Sequence, residues 1–169
     1  MRKIVHYART SSDVNTNVTG FLYARAFGQW TDSIIGLLNQ LKKKAEDDRK
    51  VTVARTHGQD AQLTTFGNIY AKYVEQIKLH MEPILRDEKM LIDGKIAGAV
   101  GTDVDMRAAF PDVDFQDMYR GIVEDIFGLN YVQYGNDQDC SNASLNQFFD
   151  VVMATNRIVK KIADDHWLY

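Results

Sequence analysis

Apolar side chains recur after a polar opening at Val18, Phe21, Leu22, Ala26, Trp30, Ile34, Leu37, Leu38 and Leu41, the three-and-four spacing of one helical face. The pattern predicts a long first helix of about 25 residues. Lys42-Lys43-Lys44 would close it with cations that suit a helix C-terminus, and the charged run Glu46-Asp47-Asp48-Arg49-Lys50 reads as a loop. Val51-Thr52-Val53-Ala54-Arg55-Thr56 predicts an extended segment leading to His57-Gly58-Gln59. The helical period returns from Thr64 at Phe66, Ile69, Tyr70, Tyr73, Ile77, Met81, Ile84 and Leu85. Pro83 lies inside this second long helix and predicts a kink, or a stop near His80.

Three glycines in Gly94-Lys95-Ile96-Ala97-Gly98-Ala99-Val100-Gly101 imply positive φ or close backbone approach, and hence irregular structure. Asp114 is placed to cap a helix of about 12 residues, with Met118, Tyr119, Ile122, Val123 and Ile126 buried and Gly128 as terminator. Ser144 and Gln147 have capping-box spacing before a last long helix that carries Phe148, Val152, Val159, Ile162 and Trp167 on one side. The fold class is therefore mainly α, a long-helix bundle with short extended segments around residues 50–56 and 92–101. No linker or repeat divides the chain, so residues 1–169 read as one domain. Helices this long, apolar on most faces, call for association with further copies.

Composition narrows the function classes. With 45% hydrophobic and 25% charged residues, the chain is too apolar for disorder. Twenty Lys and Arg against 23 Asp and Glu give a formal charge of −3, which offers no basic excess for nucleic acid or an anionic membrane surface. No stretch reaches the roughly 20 apolar residues of a membrane span, and no secretory leader is legible at the start. Cys140, the single cysteine, cannot form an internal disulfide or a zinc cage, which points to the reducing cytoplasm.

Two clusters carry candidate chemistry. In Arg55-Thr56-His57-Gly58-Gln59 a histidine stands between a hydroxyl and a glycine. Imidazole exchanges protons near neutral pH, so His57 is the best acid/base candidate, the alternative being an ordinary surface turn. His6, His80 and His166 lie on periodic segments and read as packing or surface residues. Arg9-Thr10-Ser11-Ser12-Asp13 opens the first long helix, where hydroxyls and free amides suit an anion and where plain N-capping is the simpler reading.

Thr10-Ser11-Ser12-Asp13, Arg55-Thr56-His57-Gly58-Gln59, the glycine segment and Phe110-Pro111-Asp112-Val113-Asp114, in that order, resemble the adenylosuccinate lyase family of the fumarase/aspartase superfamily. The likeness extends to Asp165-His166-Trp167-Leu168-Tyr169. It implies the superfamily's helical bundle and the elimination of fumarate from adenylosuccinate, and from the succinylated carboxamide ribotide of purine biosynthesis, without cofactor or metal. By the same resemblance His57 is the general acid that protonates the departing nitrogen. Thr10 and Ser11 bind substrate, Thr56 orients a carboxylate, and Gln138 matches a substrate-binding glutamine. The family forms homotetramers whose active sites draw on three subunits. Its basic serine sits in a Gly-Ser-Ser-x-Met-Pro loop beyond residue 169, and a further histidine and arginines precede residue 1. The expectation is a central part of such an enzyme, inactive alone. A non-catalytic helical assembly module and another superfamily lyase or cycloisomerase are the competing readings.

Overall fold

The computed structural model describes residues 6–86, 92–134 and 138–169. Of the segments read above, the opening residues 1–5, the side chain of Leu85 and residues 135–137 lie outside these. The order is α1 (Ser11–Asp47), β1 (Val51–Thr56), β2 (Gln59–Thr65), α2 (Phe66–Arg86), β3 (Asp93–Gly94), α3 (Val104–Ala109), α4 (Phe115–Gly121), a π-helical turn (Ile122–Ile126), β4 (Asn130–Tyr131) and α5 (Ala143–Leu168). The chain is mainly helical, as its periodicity requires. It divides into two compact units, one of Met1–Gly28 and Lys89–Phe148, the other of Gln29–Glu88 and Phe149–Tyr169.

In the second unit, Ile34, Leu38 and Leu41 of α1 pack with Tyr70, Tyr73, Val74, Ile77 and Met81 of α2 and Ile162 of α5. Ile77 and Met81 are fully buried. The helix α2 runs through Pro83 rather than stopping near His80. Proline leaves the carbonyl four residues earlier without its amide, and here that residue, Leu79, is 67% exposed, so water can serve the carbonyl. Trp167, expected on the packed side of α5, is 92% exposed.

The hairpin was only half legible. β2 pairs antiparallel with β1, with Val53 opposite Leu63, Arg55 opposite Asp60 and Thr56 opposite Gln59, and the register slips between Val53 and Arg55. Most of its residues are exposed, so no face alternates in polarity and the sequence Gln-Asp-Ala-Gln-Leu-Thr-Thr carries no strand signal.

The first unit is built around Phe27, Ile92, Phe115, Tyr119, Val123, Leu129 and Phe148. Phe27 stacks on Phe148 with centroids 3.5 Å apart. β3 pairs in parallel with β4, and Gly94 is required there, because a Cβ would lie 2.5 Å from Asn17 Oδ1 and 2.8 Å from Val123 Cγ1. The Asp114 carboxylate accepts from the amides of Gln116 (3.0 Å) and Asp117 (3.3 Å), the N-cap read from sequence. The helix it starts passes into the π turn, whose wider winding departs from the 3.6 period. Val123 is accordingly buried while Ile126, expected beside it, is 69% exposed. Ser144 forms no capping box: α5 begins at Ala143, and the Ser144 hydroxyl instead accepts from the Asp93 amide at 3.1 Å.

Candidate active site

His57 and Gly58 form the two-residue turn between β1 and β2, with φ of 54° and 76°. Two successive left-handed residues are what a type I′ turn requires, the connection whose twist matches paired strands. Gly58 adopts this freely, and histidine is among the side chains that tolerate it. Thr-His-Gly-Gln thus folds into a tight tip on which the imidazole stands exposed, without a hydrogen-bond partner among the described residues. Thr56, paired with Gln59, is the last residue of β1 and is also exposed.

Thr10 and Gln138, 128 positions apart in sequence, meet in the first unit: the Gln138 amide donates to Thr10 Oγ1 at 3.0 Å. Thr10 occupies the N-cap position of α1 and Ser11 its exposed first residue. The Asp13 carboxylate reaches back to accept from the Thr10 amide at 3.1 Å, the reciprocal half of a capping box. Thr10 and Gln138 belong to one compact unit, Thr56 and His57 to the other.

Beneath Thr10 lies a buried polar network that the sequence did not disclose. Asp13, 5% exposed, accepts from the amides of Ala97 (3.1 Å) and Gly98 (3.2 Å) and faces the fully buried Lys95 ammonium at 3.4 Å. Lys95 Nζ also donates to the Gly98 carbonyl at 3.2 Å. Asn17 donates to the carbonyls of Asp13 and Lys95, each at 2.7 Å, and accepts from the Lys95 amide at 3.1 Å. Arg9 pairs with Asp103, donates to the Tyr119 hydroxyl at 2.8 Å and stands 4.9 Å from the centre of that ring. Tyr119 donates in turn to Asp103 at 2.7 Å. Burial, and the hydrogen bond to Asp103, push the Tyr119 phenol well above its ordinary value. Two cations balance two carboxylates here, so the glycine segment is strapped to the first turn of α1 without net charge. Asp13 could be read as a helix-cap residue, but nothing in a single Lys95 among glycines signals burial.

In the second unit, Tyr73 donates to Asp165, which also pairs with Lys161 at 3.1 Å and lies 3.9 Å from Lys72. Burial works to raise the Asp165 carboxyl, but the hydrogen bonds from Tyr73 and Lys161 and the charges of Lys161 and Lys72 outweigh it and hold it below the usual range. Lys72 is lowered by burial, against the attraction of Asp165. Among the described residues, no group of three or more His, Cys, Asp or Glu could hold a metal ion, and no helix is long and apolar enough to cross a membrane.

The chain belongs to the Lyase family, whose model matches residues 1–169, within the fumarase/aspartase superfamily. It is similar to the adenylosuccinate lyase of Haemophilus influenzae, 27% identical over 173 residues, which is 99% of this chain and 36% of that one. It is also similar to the adenylosuccinate lyase of Bacillus subtilis, 35% identical over 102 residues, 60% of this chain and 24% of that one. The chain spans about a third of the length, or less, of these relatives. Its fold matches the β-carboxy-cis,cis-muconate cycloisomerase of Acinetobacter calcoaceticus, with TM-score 0.82 at 18% identity over 98% of this chain and 37% of that one. A fumarate lyase from Mesorhizobium matches with TM-score 0.81 at 17% identity over 98% of this chain and 38% of that one.

Proposed function

We propose that this chain is the central part of a carbon–nitrogen lyase that cleaves adenylosuccinate to AMP and fumarate, and the succinylated carboxamide ribotide in the same way, in cytoplasmic purine biosynthesis. The observation that carries the reading is the Thr56-His57-Gly58-Gln59 tip, where backbone geometry holds an imidazole out from the unit that bears it. An exposed ring with no hydrogen-bond partner among the described residues is free to meet a substrate nitrogen. The contact between Thr10 and Gln138, two residues that the resemblance assigns to substrate binding and that lie far apart in sequence, supports the same reading.

The elimination balances as follows. A base removes the proton from the carbon β to the nitrogen, and the electron pair left behind forms the alkene of fumarate. The carbon–nitrogen bond breaks with its electrons going to nitrogen, and His57, as imidazolium, returns a proton there. Thr10, Ser11 and Gln138 bind the substrate and Thr56 orients a carboxylate. No cofactor enters. The base belongs to a segment outside these 169 residues, and acid and base meet through assembly of several chains into a homotetramer. The exposed row Val14, Val18 and Leu22 on α1 supports such association.

The test compares two proteins supplied with adenylosuccinate: the isolated chain, and a chimera in which it replaces the matching third of the Haemophilus influenzae relative. The chimera is expected to release fumarate and the isolated chain little or none. Robust turnover by the isolated chain contradicts the shared-site reading. An assembled chimera without turnover contradicts the substrate.

A further inference from the structure

The hairpin that bears His57 is tied to the end of α5 through one amide. Thr56 and Gln59 flank the two-residue turn and are the pair that exchanges hydrogen bonds across it, so the neighbouring residue, Arg55, turns its N–H away from the partner strand. That outward amide donates to the Tyr169 hydroxyl at 3.2 Å. Tyr169 is itself held. Its ring meets Phe66, the first residue of α2, edge-on at 6.1 Å, and its own amide donates to the Asp165 carbonyl at 3.2 Å. Asp165 and His166 complete a ladder against α2, with Asp165 accepting from Tyr73 and His166 Nε2 lying 3.4 Å from the Tyr70 hydroxyl. Three successive contacts thus descend along α2, and the last passes to the strand two residues before the imidazole.

We propose that Tyr169 is a positioning residue for His57: its hydroxyl fixes the Arg55 amide and so sets where the hairpin tip presents the imidazole. The proposal rests on the reading of His57 as the general acid. The base of the hairpin is anchored, since β2 runs directly into α2 and the Phe66 amide donates to the Lys50 carbonyl at 3.1 Å, whereas beside the tip the Arg55–Asp60 ion pair at 3.5 Å is exposed and screened by solvent. The register slip between Val53 and Arg55 interrupts the ladder just below the tip, where Tyr169 holds it.

The substitution Tyr169→Phe keeps the ring on Phe66 and removes only the hydroxyl. In the isotopically labelled chain, exchange of the Arg55 amide is expected to quicken about five- to tenfold. The order parameters at His57 and Gly58 are expected to fall from about 0.85 towards about 0.6, with Tyr73 and Ile77 in the core unchanged. In the chimera described above, the same substitution is expected to lower kcat for fumarate release about fivefold with KM unchanged. Unaltered exchange at Arg55, an increase shared equally by Tyr73 and Ile77, or a loosened tip with undiminished kcat each overturns the proposal. Should His57→Ala leave turnover intact, it is the acid reading that fails, and the exchange data still decide whether the hydroxyl holds the tip.

Discussion

His57 could be picked out at the level of single residues because its chemistry is local: a histidine followed by glycine is a turn signal and a proton carrier at once. Lys95 could not, since its burial depends on a carboxylate 82 positions earlier in the chain. Cys140 stands between these cases. Its rarity hinted at a reduced thiol, and only the structure shows that burial, reinforced by the charge of Asp93, pushes that thiol from the usual 9.0 up to about 11, against Lys95 and the Ser141 amide. The folded chain therefore keeps a proton that the unfolded chain gives up. The stabilisation is present below pH 9 and is lost as the pH rises from there through about 11. The pH profile of alkylation by iodoacetamide reads this directly, because only the thiolate reacts. Its midpoint is expected near 11, and a midpoint near 9 would contradict the buried setting.

Elements with one buried face were the legible ones. The apolar rows of α1, α2 and α5 marked three long helices, and Asp114 marked the start of α4, because the inward stripe and the cap each leave a pattern of fixed spacing. The pattern fell silent where burial did. β2 is exposed along most of its length, and the π turn breaks the very period on which a helical reading depends. The row Val14, Val18, Leu22 is apolar yet exposed. Periodicity finds an apolar face without saying whether this chain or another covers it.

The segment joining β3 to α3 shows the opposite limit, an irregular stretch held by polar contacts rather than by an apolar face. Its hold on α1 passes through the Lys95–Asp13 pair, with Lys95 fully buried. Breaking a buried pair from one side leaves the other charge poorly compensated, here with the more distant Arg9 at 3.9 Å in place of Lys95, so Lys95→Met is expected to lower stability by about 3–5 kcal/mol. Urea unfolding measures it. A loss below about 1 kcal/mol would mean that the amides of Thr10, Ala97 and Gly98, with Arg9, satisfy Asp13 unaided.

For the whole molecule, membership of the lyase family agrees with the resemblance carried by a handful of motifs, although relatives share only about a quarter to a third of their residues with this chain. The Thr-His-Gly-Gln motif is legible because it combines a left-handed backbone turn with a reactive side chain. Much of the remainder is helix, for which many sequences serve. Turnover at this site depends on the imidazole at the hairpin tip acting as the acid. The most direct measurement is steady-state fumarate release by the chimera with and without His57→Ala, with the assembly state checked by light scattering. A fall in kcat of about 10²–10⁴-fold with assembly unchanged is expected. Turnover equal to that of the unsubstituted chimera would contradict it and leave the hairpin a structural relic on an assembly module.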